Sequence, residues 1–176
     1  DDMASYFAYC EWAWPGGSSR TANDPDCPHV SYRMLKCPWH TAWRESGLED
    51  VGHFYCRCVD RAILRGFNPA FRLRLSSCLP QNPEEGCAFH WESAENTPAL
   101  AQRQRRIQDR LRGTQVKDFL YHTAHLYRTL LRCARERNPQ AAALIEAQAG
   151  LEFAQRFGEA ALEQVRQAAQ GDFAAI

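Results

Sequence analysis

The fold is indicated most clearly by residues 29–65, HVSYRMLKCPWHTAWRESGLEDVGHFYCRCVDRAILR. Polar and apolar residues alternate over residues 29–36, as in a half-buried strand. Pro38 then suits the first turn of a short helix over residues 38–46, which Gly47 ends. Over residues 48–65 apolar side chains recur at helical spacing, and Gly66 is the expected stop. This stretch therefore predicts a strand followed by a helical hairpin.

The segments on either side extend this pattern. Residues 70–78 alternate again, and residues 86–93 are the expected antiparallel partner across the loop LPQNPEE. Upstream, residues 3–14 fit either a short helix or a strand, and residues 15–28 have the composition of a loop. Downstream, amphipathic helices are predicted over residues 98–112, 115–137 and 139–170, with Thr97 as the N-cap before Pro98. The expected fold class is α+β: a small antiparallel β-sheet packed with helices, and a helical C-terminal half.

The composition changes near residue 96. Residues 1–96 carry 9 Lys and Arg against 13 Asp and Glu and hold most of the Trp, Pro and Cys, whereas residues 97–176 carry 12 against 8 and are rich in Ala, Gln, Arg and Leu. We therefore expect a mixed α/β, cysteine-containing core over residues 1–96. A helical part over residues 97–176 is expected to pack on it within one structural unit.

Composition also excludes several classes of protein. Hydrophobic residues make up 45% of the 176 residues, so the chain can build a core and is not disordered. The 21 basic and 21 acidic residues balance, which argues against a nucleic-acid partner, and no apolar run approaches the ~18 residues of a membrane span. Because a chain with its own core does not need a disulfide framework, we expect the eight cysteines to be reduced thiols in a cytoplasmic protein.

Cys37 is the first candidate for chemistry. It stands where the strand gives way to the helix that Pro38 begins, and a helix N-terminus lowers the pKa of a thiol. His40, three residues on, could share or relay a proton. The alternative is that Cys37 is a small buried apolar residue, as most free cysteines are.

Cys56 and Asp60 are the second candidate pair. Their spacing of four places both on one face of the predicted helix over residues 48–65. A carboxylate beside an apolar stripe is costly to bury unless it is paired, so Asp60 is either an ion-pair partner, for example of Arg61, or an acid or base with a shifted pKa.

The third candidate group is Asp118, His122 and His125. At 100° per residue these side chains span about 60° of a helix surface. Two histidines and a carboxylate could bind a metal or act as a proton relay in which Asp118 orients His122. A solvated helix face remains the alternative, since the spacing HxxH without a second supporting element is a weak indication of a metal site.

Residues 37–91 resemble the L-2-amino-thiazoline-4-carboxylic acid hydrolase family. The resemblance is carried by Cys37-Pro38, by Gly47-Leu48, by Cys56 with Asp60, and by Gly66-Phe67-Asn68-Pro69. The last residues that carry the resemblance are Cys87 and Phe89, in the second strand of the expected pair. Some members also contain a helix similar to residues 117–130.

The resemblance implies a hydrolase that opens a small cyclic amidine or thiazoline by adding water to its C=N bond. It implies Asp60, His122, His125, Cys56 and Cys37 as candidate catalytic residues, and His40, Cys87, Tyr121 and Arg61 as candidates for binding the substrate. The expected partner is a small-molecule substrate, with no cofactor and no metal. Two alternatives stay open: a small-molecule binding or sensing domain without turnover, and a metalloenzyme using His122 and His125. The broad apolar face of the last helix also suggests a homodimer.

Overall fold

The computed structural model describes residues 2–12 and 16–173 of the chain. It contains helices and a four-stranded antiparallel sheet, so the predicted α+β class is confirmed. The elements of the first part are α1 (Met3–Ala8), β1 (Arg20–Asn23), β2 (His29–Lys36), α2 (Pro38–Glu45), α3 (Glu49–Phe67), β3 (Arg74–Ser77), β4 (Cys87–Glu95) and α4 (Pro98–Leu111). They are followed by α5 (Phe119–Arg137), α6 (Pro139–Phe157) and α7 (Glu159–Ala168).

The chain forms two compact units, residues 1–116 and residues 117–176. The first unit contains the sheet and the helices up to α4, and the second contains α5, α6 and α7. The composition thus changes near residue 96, at the start of α4, whereas the compact units divide after Val116. No helix in the described part of the chain is long and apolar enough to cross a membrane.

The sheet has the strand order β1-β2-β4-β3 and two unlike faces. On the inner face, Tyr32 pairs with Phe89 and Met34 with Cys87, and the rings of Tyr32 and Phe89 stack 5.0 Å apart. These side chains belong to the core that also takes in residues of α1 and α3. The outer face is polar: His90 lies between two serine hydroxyls, at 3.0 Å from Ser31 and 3.2 Å from Ser76.

Helices α2 and α3 form the predicted hairpin. A Cβ atom at Gly52 would lie 2.4 Å from the ring of Trp43, so only glycine allows the two helices to approach this closely. Nε2 of the buried His40 and Oε1 of Glu49 lie 3.0 Å apart and connect α2 to the first turn of α3. The hairpin thereby fixes the start of the helix that carries Cys56 and Asp60.

The sequence predicted most boundaries, and the differences have local causes. The alternating segment 29–36 is β2, and Thr97 is the N-cap of α4, its side chain accepting a hydrogen bond from the Leu100 N–H. Residues 3–8 are helical, while residues 13 and 14 of that ambiguous stretch and residue 15 of the expected loop lie outside the described residues. The prediction missed β1, whose four residues are all exposed and lack alternation.

Two glycines were misread. Gly66 lies inside α3, which continues to Phe67 before Asn68 caps it, so the predicted stop is wrong by two residues. The single helix predicted over residues 139–170 is also wrong, because Gly158 adopts a φ of 93° and separates α6 from α7. A positive φ is accessible to glycine at little cost, and it ends the first of these helices.

Candidate active site

Asp60 is half-buried on the inward face of α3, and burial of its carboxyl group raises its pKa from 3.8 to about 6. The opposing influence is its own backbone N–H, which lowers the pKa. Among the described residues, no lysine or arginine lies within ion-pairing distance of this carboxylate. Asp60 is therefore a desolvated carboxyl group without a cationic partner, which is unusual for a purely structural residue.

Three tyrosines surround this carboxyl group within electrostatic range: Tyr6 from α1, Tyr32 from β2 and Tyr55 from α3. Burial raises the pKa of each phenol above its usual value, and the negative charge of Asp60 raises it further. All three hydroxyls consequently stay neutral at physiological pH and are able to donate hydrogen bonds.

Four thiols form a second group, Cys37, Cys56, Cys78 and Cys87, of which Cys37 and Cys56 lie within electrostatic range of Asp60. The pKa of Cys87 is raised to about 12, chiefly by burial and in part by the neighbouring Cys78, Cys37 and Cys56. Asp60 contributes in the same way to the raised pKa values of Cys37 and Cys56. The fold thus brings together the three cysteines singled out in the sequence, and it adds Cys78.

The β3–β4 hairpin explains the position of Cys78. Because Ser77 pairs with Ala88, the residue after β3 and the first residue of β4 meet across the hairpin. The Leu79 N–H donates a hydrogen bond to Sγ of Cys87 at 3.2 Å, and Sγ of Cys78 lies 3.7 Å from Nδ1 of His53. The predicted pairing of residues 70–78 with residues 86–93 already places Cys78 near Cys87.

The thiols are poor thiolates in this environment. Cys37 is the N-cap of α2 as expected, and the N–H groups of His40 and Trp39 lower its pKa. Burial outweighs them, however, so the net shift of the pKa is upward, which favours the alternative of a small buried residue over that of an activated thiol. Burial likewise raises the pKa of Cys56 to about 12. At neutral pH these thiols are protonated, which leaves Asp60 as the ionised group among them.

Two of the expected substrate-binding residues have other contacts in the first unit. The ring of His40 is engaged by Glu49, as described above. The side chain of Arg61 donates hydrogen bonds to the carbonyl of Arg57 and borders a cavity whose lining includes neither Asp60 nor the four thiols. Their roles in substrate binding stay predictions. Arg57, which the sequence analysis did not select, is the residue whose positive charge lowers the pKa of Cys78.

The remaining candidates belong to the second unit. Asp118 is not within the helix but is the N-cap of α5, its side chain accepting a hydrogen bond from the Tyr121 N–H at 2.8 Å. His122 and His125 pack around the ring of Tyr121, and His125 also stacks on Phe173 at 4.7 Å. In the described residues no group of three or more His, Cys, Asp or Glu side chains is arranged to hold a metal ion. The catalytic roles of both histidines and of Tyr121 stay predictions.

Comparison with known proteins gives a family match within the first unit. Residues 2–91 match the family model described as L-2-amino-thiazoline-4-carboxylic acid hydrolase, and this region contains Asp60 and the four clustered thiols. It ends before α4 and contains none of the second unit. No curated protein and no solved structure matches the chain. Because the match covers half of its residues, the chain belongs to the L-2-amino-thiazoline-4-carboxylic acid hydrolase family.

Proposed function

We propose that this protein hydrolyses a small cyclic amidine of the 2-amino-thiazoline-4-carboxylate type, with Asp60 as the general base. The observation that carries this proposal is the half-buried carboxyl group of Asp60, which has no cationic partner among the described residues and a pKa raised to about 6. A base whose pKa lies just below neutrality is mostly ionised at pH 7 yet basic enough to take a proton in the transition state. The family match, which includes Asp60, supports the reaction class.

The reaction adds one water molecule to the substrate. The ionised carboxylate of Asp60 removes a proton from water as the water oxygen attacks the carbon between the ring nitrogen and the sulfur. The C=N double bond becomes a single bond, and its electron pair takes the proton from Asp60, which gives a ring N–H and restores the carboxylate. The tetrahedral intermediate then collapses: Asp60 takes the proton of the new hydroxyl as the C=O bond forms and passes it to the leaving nitrogen or sulfur as one ring bond breaks. Cleavage of C–N gives an S-carbamoyl-cysteine and cleavage of C–S gives an N-carbamoyl-cysteine.

Three tyrosines contribute polar groups to the surroundings of Asp60. Tyr6, Tyr32 and Tyr55 have raised pKa values, so each is a neutral hydrogen-bond donor beside the carboxylate. Such donors stabilise negative charge that develops on a substrate atom without adding a competing acid of low pKa. The positive charge of Arg57, which acts on Cys78, is our candidate for attracting the substrate carboxylate.

The same electrostatics favour attack by water over attack by a cysteine. A covalent mechanism needs a thiolate, and burial raises the pKa of both Cys56 and Cys87 to about 12. We therefore assign the thiols to the wall of the site, where their small apolar side chains exclude water from the substrate.

Turnover by the full chain tests this proposal. Incubation with 2-amino-thiazoline-4-carboxylate should give a product heavier by one water, detected by mass spectrometry. A colorimetric thiol assay then identifies the broken bond, because only C–S cleavage releases a free thiol on the product. The logarithm of kcat/KM should rise with pH and level off above about pH 6 as Asp60 ionises. Absence of the hydrated product at every pH tested would refute the proposed reaction.

A further inference from the structure

A cavity of about 330 Å³ lies between the last turns of α3 and the loop that leads into β3. Its apolar surface is formed by Leu64 and Leu73, which are 1% and 8% exposed, and by Phe71. Three arginines, Arg61, Arg65 and Arg72, border the same cavity. This volume is within the range of small-molecule sites, and its combination of apolar surface and positive charge is distinct from the Asp60 site.

The positive charges around the cavity are not neutralised by protein carboxylates. No aspartate or glutamate lines it, and within the described ranges none of the three guanidinium groups takes part in an ion pair. Arg61 bonds to the carbonyl of Arg57, and Arg72 donates to the carbonyl of Pro69 at 2.9 Å. Carbonyl acceptors restrict the motion of a guanidinium group but leave its full charge available to a ligand.

The loop that carries Arg72 is itself fixed. The side-chain oxygen of Asn68 accepts a hydrogen bond from the Ala70 N–H at 2.9 Å, and the hydroxyl of Ser93 on β4 accepts one from the Arg72 N–H at 2.8 Å. A loop held in this way presents its arginine with little ordering cost on binding.

Interaction with the negative end of the α3 dipole accounts for a basic residue in the last turn, which is Arg65. It does not account for Arg72, which follows the helix and borders the cavity from the other side. Three arginines around one apolar surface, with no acidic residue among its lining, match a ligand that is both anionic and partly apolar.

We propose that this cavity binds a small organic anion, in which a carboxylate or phosphate group is attached to an apolar ring or short chain. The oxyanion contacts Arg65 and Arg72, whose planar guanidinium groups suit two oxygens of one acid. The apolar part covers Leu73 and Phe71. The site is separate from Asp60 and does not depend on the proposed hydrolysis.

Isothermal titration calorimetry of the full chain with phenyl phosphate, benzoate and inorganic phosphate tests this assignment. Saturable binding is expected for at least one of the two aromatic acids, and comparing them tells a phosphate ligand from a carboxylate. Arg65→Gln should weaken that binding about tenfold, because a charge-assisted contact is lost. Arg105→Gln, on the exposed surface of α4, is the matched control and should leave the affinity unchanged. Asp60→Asn should bind the same acid normally, whatever its activity.

Three results would overturn the proposal. Absence of saturable binding for both aromatic acids would remove the site. Equal losses in Arg65→Gln and Arg105→Gln would show that the overall positive charge, and not this cavity, attracts the anion. Binding of inorganic phosphate as tight as that of phenyl phosphate would contradict the role of the apolar surface.

Discussion

The two faces of α3 differ in the charged residues that they carry and in how exposed these residues are. The inward face carries Cys56 and Asp60 at a spacing of four, followed by Leu64, which is 1% exposed. The outward face carries Arg57, Arg61 and Arg65 at the same spacing, all of them exposed. One periodicity thus places a lone carboxylate against the core and three guanidinium groups towards solvent.

The cost of desolvating charge falls on the inward face of α3. Exposed arginines keep most of their hydration, so the outward face costs little. The carboxylate of Asp60 loses hydration and gains no cation in return among the described residues, and its raised pKa is the measure of that loss. Arg57, about one turn earlier on the same helix, does not form an ion pair with Asp60. An apolar residue at position 60 would avoid this desolvation cost. A carboxylate that is kept there in spite of the cost is typical of a residue that takes part in catalysis.

Asp60→Asn should produce the largest effect, because it removes the general base while keeping the shape of the side chain. We expect kcat to fall by about 10²–10⁴-fold, the usual contribution of a positioned base. The measurement is turnover of 2-amino-thiazoline-4-carboxylate under saturating conditions. Asp50→Asn, an exposed carboxylate in the first turn of the same helix, is the control and should keep its activity. A fully active Asp60→Asn variant would leave the inward face with no catalytic role.

The second-largest effect should be a difference in thiol reactivity between the two faces of α3. Cys58 is exposed and Cys56 is half-buried two residues earlier, with its pKa raised to about 12 from an ordinary value of 9.0. Since the thiolate is the reactive species and the pKa of Cys56 is raised, alkylation of Cys56 at pH 8 should be at least about tenfold slower than that of the exposed Cys58. A timed pulse of iodoacetamide followed by peptide mass spectrometry measures both rates in one sample. Comparable rates would mean that the inward face is open to solvent.

The stability of the protein should depend on pH through Asp60. Its pKa is higher in the folded state, about 6 against 3.8, so the unfolded chain binds fewer protons between these values and stability falls as pH rises through this window. Relative to Asp60→Asn, the native protein should lose about 2 kcal/mol of unfolding free energy between about pH 4.5 and pH 7.5. Urea unfolding at the two pH values measures the difference.

Asp2 provides a control of opposite sign for that experiment. It caps α1, and hydrogen bonds from the Ser5 N–H and hydroxyl, together with Arg103, lower its pKa despite partial burial. Asp2→Ala should cost about 1 kcal/mol at neutral pH, and this cost should shrink as the pH falls below about 4. If Asp60→Asn and Asp2→Ala changed stability with the same pH dependence, the unpaired state of Asp60 would be contradicted.

The smallest expected effect concerns a polar group that does have a partner. His40 is 8% exposed and contacts Glu49 at 3.0 Å, at the junction of α2 and α3. Breaking this contact by His40→Gln or Glu49→Gln should each cost about 1 kcal/mol. A double-mutant cycle by urea unfolding should show that the two losses are not additive. Additive losses would show that the pair does not hold the hairpin together.

Much of this arrangement was predictable from local pattern. Alternation defined β2 to the residue, and spacing of four placed Cys56 and Asp60 on one face of α3, because both signals depend only on neighbours along the chain. The exposed β1 carried no such signal. Gly158 was read as part of a helix because its positive φ is not encoded by the apolar period.

The surroundings of Asp60 required the fold. Tyr6, Tyr32 and Cys78 lie 18 to 54 residues from Asp60 along the sequence, and no local period relates them to it. Whether Asp60 is paired or unpaired depends on which arginines reach it, and spacing alone left Arg61 as a partner. The two alternatives for Cys37, an activated thiol or a small buried residue, stayed open for the same reason: the position of the helix N-terminus was predicted correctly, but the degree of burial that opposes its effect on the pKa is a tertiary property.

The proposed role of Asp60 depends on the pKa of its carboxyl group, which can be measured. Carbon-13 NMR of the side-chain carboxyl groups, followed over pH and assigned by comparison with Asp60→Asn, gives this value without any assumption about the substrate. A titration midpoint of about 6 is expected, because the carboxyl group is desolvated and has no cation beside it. A midpoint at or below the ordinary value of 3.8 would contradict the account, since the carboxylate would then be solvated or paired and no longer suited to act as the base.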